Sequence, residues 1–133
     1  MEPASTKTIL IVDDDDSIRD FLEFVVKKEG FKTEKAEDGE IALKKAEELH
    51  PDLILLDLML PKLGGFEILK ELQASDAAYT PVVIITGKYM DRTTSELIRQ
   101  EPNVYDFLEK PIKPQVLVAL LHKTLNTEPV RKK

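Results

Sequence analysis

Several features that define other classes of protein are missing from this chain. It contains no cysteine, which excludes a disulfide framework and thiolate chemistry. No apolar stretch approaches the length that is needed to cross a bilayer. The first seven residues are polar and lack the apolar core of a signal peptide. We therefore expect a cytoplasmic protein that makes no contact with a membrane.

An excess of positive charge is missing as well. The 133 residues carry 19 Lys and Arg against 25 Asp and Glu, so the formal net charge is −6. Basic residues do not form a stripe, apart from a short tail at 131–133, and we expect no direct binding of nucleic acid. The length suits one domain with one core. We divide the chain into a polar lead-in (1–7), the domain (8–126) and a tail or the start of a linker (127–133).

The chain contains a regular alternation of short strand-like runs and helical patterns. Such an alternation indicates parallel β-α-β units with right-handed crossovers, and hence an α/β fold. The second strand is short and polar, as expected at the edge of a sheet. The predicted strands are 8–13, 32–36, 53–57, 82–86 and 104–108, and the predicted helices are 17–29, 39–49, 66–74, 91–100 and 114–125.

Two of the apolar runs end in aspartate. Ile9–Val12 leads into Asp13–Asp16, and Leu53–Leu56 leads into Asp57. Such runs are typical of buried parallel strands, and open α/β sheets bind ligands just beyond the carboxyl ends of their strands. Two bare carboxylates ~4 Å apart repel each other by about 4 kcal/mol at an effective dielectric of 20. A cluster of them therefore needs a proton, a lysine or a metal ion.

Polar residues also stand at the ends of the last two strands. Thr86 ends the fourth strand, and Lys110 follows the fifth. If the strands are parallel, these residues meet Asp13, Asp14 and Asp57 at one edge of the sheet. Carboxylate oxygens that leave positions for water suit Mg²⁺. A carboxylate beside a metal ion and a lysine can act as a nucleophile toward a phosphoryl group.

At these positions the chain resembles the response-regulator receiver domains of two-component signalling, including the single-domain chemotaxis regulator. The matching segments occur in the order of that family and extend the resemblance over about residues 7–126. The resemblance implies a flavodoxin-like, doubly wound sheet of five parallel strands in the order 2-1-3-4-5, with five helices. The segments are Ile9–Asp15, Leu53–Pro61, Gly64–Phe66, Val83–Gly87 and Phe107–Pro111.

The resemblance also implies a metal site. Asp57 matches the phosphoacceptor, and Asp13 and Asp14 match the acidic pair that holds Mg²⁺. Asp57 itself and the backbone carbonyl of Met59 would be further ligands. Met59 and Lys88 also stand at positions that tune the lifetime of the phosphoryl group in this family.

Three residues near the last two strands would respond to the phosphoryl group. Lys110 matches the lysine that pairs with it, and the Lys110–Pro111 bond would be cis, as such bonds are essentially confined to proline. Thr86 matches the switch hydroxyl. Phe107 matches the switch aromatic and stands where tyrosine is frequent, so it can move but cannot donate a hydroxyl hydrogen bond.

The function that the resemblance implies is a phosphorylation-controlled switch. The domain would take a phosphoryl group from a histidine kinase or a phosphotransfer protein in a Mg²⁺-dependent reaction. It would then alter the surface of its fourth helix, fifth strand and fifth helix toward a downstream protein or a fused output domain. We expect no enzyme activity beyond self-catalysed phosphoryl acceptance and slow autodephosphorylation. The protein would be a monomer or a phosphorylation-dependent homodimer, and either a single-domain regulator or part of a longer chain.

Other functions remain open at this point. A receiver-like module that acts by protein contact alone is one of them. A Mg²⁺-dependent phosphatase with an aspartyl intermediate usually needs a second acid two residues after its nucleophile, where this chain has Met59. A flavin carrier or a P-loop nucleotidase is disfavoured because no glycine-rich phosphate loop follows the first strand.

Several residues have simpler expected roles. Asp16 or Ser17 should cap the first helix, and Asp15 should be a bystander. His50 and His122 lack metal-ligand spacing and are expected at the surface. In the last helix, Val116 and Val118 fall outside the apolar stripe, which fits either a broad core contact or an exposed patch for a partner. Asn103-Val104 replaces the usual small pair before the fifth strand.

Overall fold

The computed structural model of the chain describes residues 1–60, 63–87 and 91–129. Five strands alternate with five helices, as the sequence predicts, after a short 3₁₀ turn at Ala4–Thr6. The strands are β1 (Thr8–Val12), β2 (Lys32–Ala36), β3 (Leu53–Asp57), β4 (Val82–Thr86) and β5 (Val104–Glu109). The helices are α1 (Asp16–Lys28), α2 (Gly39–Leu49), α3 (Gly65–Gln73), α4 (Arg92–Arg99) and α5 (Pro114–Leu125).

The strands form one parallel sheet in the order β2-β1-β3-β4-β5, which confirms the predicted topology. The polar strand β2 lies at an edge, while every residue of β3 and β4 is buried. In the register of β1 with β3, Val12 lies beside Leu56. The residues that follow them, Asp13 and Asp57, are therefore brought level at the carboxyl edge of the sheet.

A separate apolar cluster lies on each face of the sheet. Ile9 and Ile11 of β1 pack with α1 and α5 on one face. Leu10 and Val12 pack with α2 and α3 on the other face. This alternation of neighbouring side chains is the two-residue period of a strand that is buried on both sides.

The first helix begins one residue earlier than predicted. Its cap is Asp15, whose side chain accepts a hydrogen bond from the Ile18 N–H at 3.1 Å. The assignment of the cap to Asp16 or Ser17 is therefore wrong, and Asp15 is not a bystander. Asp38 and Asp91 cap α2 and α4 in the same way, and each such cap stabilises a helix by about 1 kcal/mol.

Some of the apolar helix residues stay exposed. Phe21 of α1 is 40% exposed at the mouth of a groove between α1 and α5. Leu49, the last residue of α2, is exposed as well. In α5 the two valines differ, because Val118 packs against the core and Val116 is exposed.

His122 is buried, so its expected surface position is wrong. Its Nε2 lies 2.9 Å from Glu29 Oε1, and its Nδ1 lies 2.6 Å from Thr127 Oγ1. Its ring is tilted against Phe31, with 5.1 Å between the ring centroids. Thr127 is itself fully buried and forms a β-bridge with Glu2. The His122 side chain thus connects the end of α5 to the end of α1. No local sequence pattern indicates this contact.

The division of the chain at residues 7 and 126 stays a prediction. Expectations that concern Pro61, Lys88 and residues 130–133 fall outside the described residues. Within the described residues, no helix combines the length and the apolar character that a membrane crossing requires.

Replacing His122 with alanine tests this contact. We expect His122→Ala to lower the free energy of unfolding by about 2 kcal/mol, because it removes buried ring contacts and leaves the buried Thr127 hydroxyl without its imidazole partner. Urea unfolding measures the effect. His50→Asn is the matched control: His50 is exposed in a left-handed conformation that asparagine tolerates. Equal unfolding midpoints for both variants would contradict the expectation.

Candidate functional site

The Asp13 carboxylate lies at the end of β1 and is completely buried. Its Oδ1 accepts a hydrogen bond from the Asp15 N–H at 2.9 Å. The Asp13 N–H donates to the Ala36 carbonyl at 3.2 Å, and the Asp13 carbonyl accepts from Arg19 Nη1 at 2.8 Å. The backbone and one carboxylate oxygen are thus fixed. The second oxygen, Oδ2, is buried and receives no hydrogen bond of regular geometry from the described residues, but the Lys110 ammonium lies 3.2 Å from it.

Asp57 ends β3 and is 3% exposed. Its Oδ1 accepts a hydrogen bond from the Met59 N–H at 3.1 Å. The loop that follows is tight, because the Leu58 carbonyl accepts from the Gly65 N–H at 3.1 Å. A Cβ atom at position 65 would lie 2.8 Å from that carbonyl oxygen. Glycine at this position therefore allows α3 to begin close to Asp57.

Lys110 reaches both buried carboxylates from the end of β5. Its Nζ lies 3.2 Å from Asp13 Oδ2 and 3.6 Å from Asp57 Oδ2. Its backbone N–H donates to the Thr86 carbonyl at 2.9 Å, which fixes the start of the loop to β4. The Lys110–Pro111 peptide bond is cis, as the resemblance implied.

The charges at the site shift the acidity of its groups. Burial raises the pKa of Asp57 above its ordinary value, and the neighbouring Asp13 carboxylate adds to this rise. The Met59 N–H and the Lys110 ammonium oppose it. For Lys110, burial alone would lower the pKa, but the charges of Asp57 and Asp13 outweigh burial and raise it. The Lys110 ammonium therefore stays protonated at neutral pH. The ionised form of Asp57 is less favourable than that of an exposed aspartate.

The three aspartates fit a small divalent cation. Asp13, Asp14 and Asp57 each offer a carboxylate oxygen, and these oxygens lie within 4.8 Å of one another. Asp14 is exposed, which leaves room for water ligands. The buried Asp13 Oδ2 contacts the Lys110 ammonium, and it receives no hydrogen bond of regular geometry from the described residues, so it has lone pairs to offer a cation. All-oxygen donors with free positions match the preference of Mg²⁺. The carbonyl of Met59 as a further ligand stays a prediction.

Thr86 and Phe107 lie on the neighbouring strands β4 and β5. Thr86 is buried at the end of its strand. Phe107 is half-buried and packs against the apolar cluster that includes residues of α2 and α3. The guanidinium of Arg99 lies over the Phe107 ring, 4.2 Å from its centroid. A cavity of about 270 Å³ adjoins both strands. It is lined by Thr86, Ser95, Arg99, Phe107, Leu108 and Glu109.

Sequence reasoning missed several residues that support the site. Arg19 holds the Asp13 carbonyl, and Arg99 contacts Phe107, but neither belongs to a motif. Asn103, noted only as a departure, is buried. Its Nδ2 donates to the Leu69 carbonyl at 3.3 Å and its Oδ1 accepts from Gln73 Nε2 at 2.9 Å. It thereby ties α3 to the start of β5, a contact between segments that lie far apart in sequence.

The chain belongs to the response regulator receiver domain family, whose model matches residues 9–122. It is 40% identical over 109 residues to the alkaline phosphatase synthesis transcriptional regulatory protein PhoP of Bacillus subtilis, covering 82% of this chain and 44% of PhoP. It is 41% identical over 111 residues to the DNA-binding response regulator MtrA of Mycolicibacterium smegmatis, covering 84% of this chain and 47% of MtrA.

Solved structures agree with this assignment. The chemotaxis protein CheY4 of Vibrio cholerae is 28% identical with a TM-score of 0.81, covering 90% of this chain and 98% of that one. NtrX of Brucella abortus is 34% identical with a TM-score of 0.80, covering 90% of this chain and 27% of NtrX. The chain is thus a receiver domain of the kind that accepts phosphoryl groups in two-component signal transduction.

The chain spans less than half the length of the curated relatives PhoP and MtrA. The name of MtrA describes the whole of that protein as DNA-binding. Our expectation of no direct binding of nucleic acid conflicts with this name. The name describes the whole of MtrA, of which this chain matches 47%.

The buried charge of Asp57 should weaken the metal-free fold. We expect Asp57→Asn to raise the free energy of unfolding at pH 7 by about 1 kcal/mol, because the amide relieves the repulsion from Asp13. A carboxyl group whose pKa is raised by folding contributes stability at low pH, which is lost as the pH rises through the folded pKa. The advantage of the variant should therefore grow as the pH rises above the ordinary carboxyl pKa of about 4.

Urea unfolding in the presence of a chelator measures this difference. Asp20→Asn removes an exposed carboxylate from α1 and serves as the control, with an expected change within about 0.5 kcal/mol. A variant that is less stable than the wild-type protein at pH 7, or an advantage that does not change with pH, would contradict our account of the charge balance.

Proposed function

We propose that Asp57 is the phosphoacceptor of this receiver domain, and that Lys110 and Thr86 assist the transfer. The observation that carries the proposal is the contact between the buried Asp57 carboxylate and the Lys110 ammonium, 3.6 Å apart, beside Asp13 and Asp14. Burial raises the pKa of Asp57. A carboxylate that loses little solvation when it reacts is a better nucleophile than one in bulk water.

The proposed reaction is a phosphoryl transfer. A carboxylate oxygen of Asp57 forms a bond to phosphorus while the bond to the leaving group breaks. The leaving group is the imidazole nitrogen of a phosphohistidine, or acetate when acetyl phosphate is the donor. The product is an acyl phosphate on Asp57. Slow autodephosphorylation is the attack of water on the same phosphorus atom, which releases inorganic phosphate and restores the carboxylate.

This chain's own residues would position and neutralise the transferring group. The Met59 N–H holds Oδ1 of Asp57, and the Lys110 ammonium is placed to pair with a phosphoryl oxygen. Asp13, Asp14, Asp57 and the Met59 carbonyl would hold Mg²⁺, which when bound neutralises charge on the phosphoryl oxygens. These contributions are mainly positioning and electrostatic, as is typical of phosphoryl transfer.

The proposed response is a population shift between two conformations. Phosphorylation adds about one negative charge and three acceptor oxygens, by analogy with hydroxyl phosphorylation. The Thr86 hydroxyl would bond one of these oxygens, and Phe107 would turn toward the space that Thr86 leaves. The surface of α4, β5 and α5, including the exposed Val116, would then change its affinity for a downstream protein or an output domain.

The partners follow from the same proposal. The phosphoryl donor would be a histidine kinase or a phosphotransfer protein, and the domain would act as a monomer or as a phosphorylation-dependent homodimer. Because receiver domains typically work in the cytoplasm, we propose that location.

Labelling with acetyl phosphate tests the acceptor. We expect Asp57→Asn to abolish Mg²⁺-dependent incorporation of labelled phosphate, because the amide cannot form an acyl phosphate. Asp15→Asn is the matched control: it retains an acceptor for the cap of α1 and should keep wild-type labelling. Continued labelling of Asp57→Asn would overturn the assignment.

Titration with Mg²⁺ distinguishes a Mg²⁺-dependent phosphoacceptor domain from a receiver-like module that acts by protein contact alone. We expect Asp14→Ala to weaken Mg²⁺ binding at least about tenfold, since it removes a ligand that is exposed and therefore dispensable for folding. Isothermal calorimetry measures the affinity. Asp20→Ala removes a carboxylate from α1 and should bind Mg²⁺ as the wild-type protein does. Wild-type affinity in Asp14→Ala would rule out this residue as a ligand.

A further inference from the structure

The contact between Arg99 and Phe107 has no part in the function proposed above. The guanidinium of Arg99 lies 4.2 Å from the centroid of the Phe107 ring. This is well within the ~6 Å over which a cation is attracted to the face of an aromatic ring. Arg92, on the same helix, instead pairs with the carboxylate of Glu96 at 3.3 Å. The two arginines of α4 therefore have different partners.

The ring of Phe107 has open space beside it. Phe107 is half-buried and packs against apolar residues of the core. Beside it lies the cavity of about 270 Å³, whose lining includes Thr86, Ser95 and Arg99 as well as the ring itself. The position of the guanidinium over the face of the ring, at 4.2 Å, belongs to the ring orientation that the structure shows. A ring that turned into the cavity would present a different face and edge to this cation.

We propose that Arg99 is a positioning residue that holds Phe107 in its resting position. It thereby sets how readily the site around Asp57 reaches its phosphorylated conformation. The inference rests on the proposed function, because it assigns a regulator to the same switch. A cation–ring contact at an exposed site changes a two-state equilibrium by about two- to fivefold. Arg99 thus tunes the switch rather than blocking it.

The affinity for beryllofluoride in saturating Mg²⁺ tests the proposal, because this anion stands in for the phosphoryl group on the aspartate. We expect Arg99→Ala to bind it about two- to fivefold more tightly than the wild-type protein, since the resting state loses a contact. Arg99→Lys keeps a cation and should stay nearer to wild type. Arg92→Ala is the matched control on the same helix and should match the wild-type affinity.

A double-mutant comparison isolates the contact with the ring. In a Phe107→Leu background no aromatic face is present, so Arg99→Ala should change the affinity for beryllofluoride by less than about 1.5-fold. An equally large effect with and without the ring would overturn the proposal. An unchanged or weaker affinity in Arg99→Ala alone would overturn it as well.

The outcome for the wild-type protein separates this proposal from the function on which it rests. If the wild-type protein does not bind beryllofluoride with Mg²⁺, the proposed function fails. The rotamer of Phe107 in the free protein, measured by scalar couplings in NMR, then tests the contact directly. Rotamer averaging in Arg99→Ala but not in Arg92→Ala supports the role of Arg99, and an unchanged coupling in Arg99→Ala overturns it.

Discussion

The position of one ammonium group between two buried carboxylates is the constraint on which the rest of the site depends. Lys110 Nζ contacts both Asp13 Oδ2 and Asp57 Oδ2. Without the lysine, the two carboxylates would repel each other in a place where little water can screen them. With it, the site still has more negative than positive charge, because Asp14 adds a third carboxylate. The remaining negative charge favours a divalent cation, and without one it costs the fold some stability.

The backbone holds this arrangement more firmly than the side chains alone could do. The parallel register of β1 with β3 brings Asp13 and Asp57 level. The hydrogen bond from the Lys110 N–H to the Thr86 carbonyl ties the end of β5 to the end of β4. The close approach of Gly65 to Leu58 shapes the loop after Asp57. Charged groups that would repel one another in an open chain are thus preorganised by strand pairing, which is how electrostatic sites reduce their reorganisation cost.

The sequence predicted the order of the elements and which residues stand at the carboxyl edge of the sheet, for a simple physical reason. Strands buried on both faces leave continuous apolar runs, and their carboxyl ends lie at one sheet edge. The ends of the runs at Asp13, Asp57 and Thr86 therefore indicated neighbours in space. The same reasoning failed where a contact joins distant segments. His122 was wrongly expected at the surface. Its burial depends on contacts with Glu29 and Thr127, which the pattern of the sequence around His122 does not reveal. The helix cap was misplaced by one residue because neighbouring aspartates have similar capping ability.

By itself, the sequence determined the α/β class, the alternation of strands and helices, and the set of residues at the carboxyl edge, because these follow from local periodicity and from where each apolar run stops. Only the tertiary structure decided which atoms meet. It placed Lys110 between two carboxylates, buried the Asp13 side chain completely, and set Arg99 over Phe107. The contacts of Lys110 join residues that lie dozens of positions apart in the chain, and they depend on strand register. The contact of Arg99 with Phe107 joins closer residues, but it depends on how α4 packs against β5. Local propensity cannot encode either kind of contact, because both are fixed by tertiary packing.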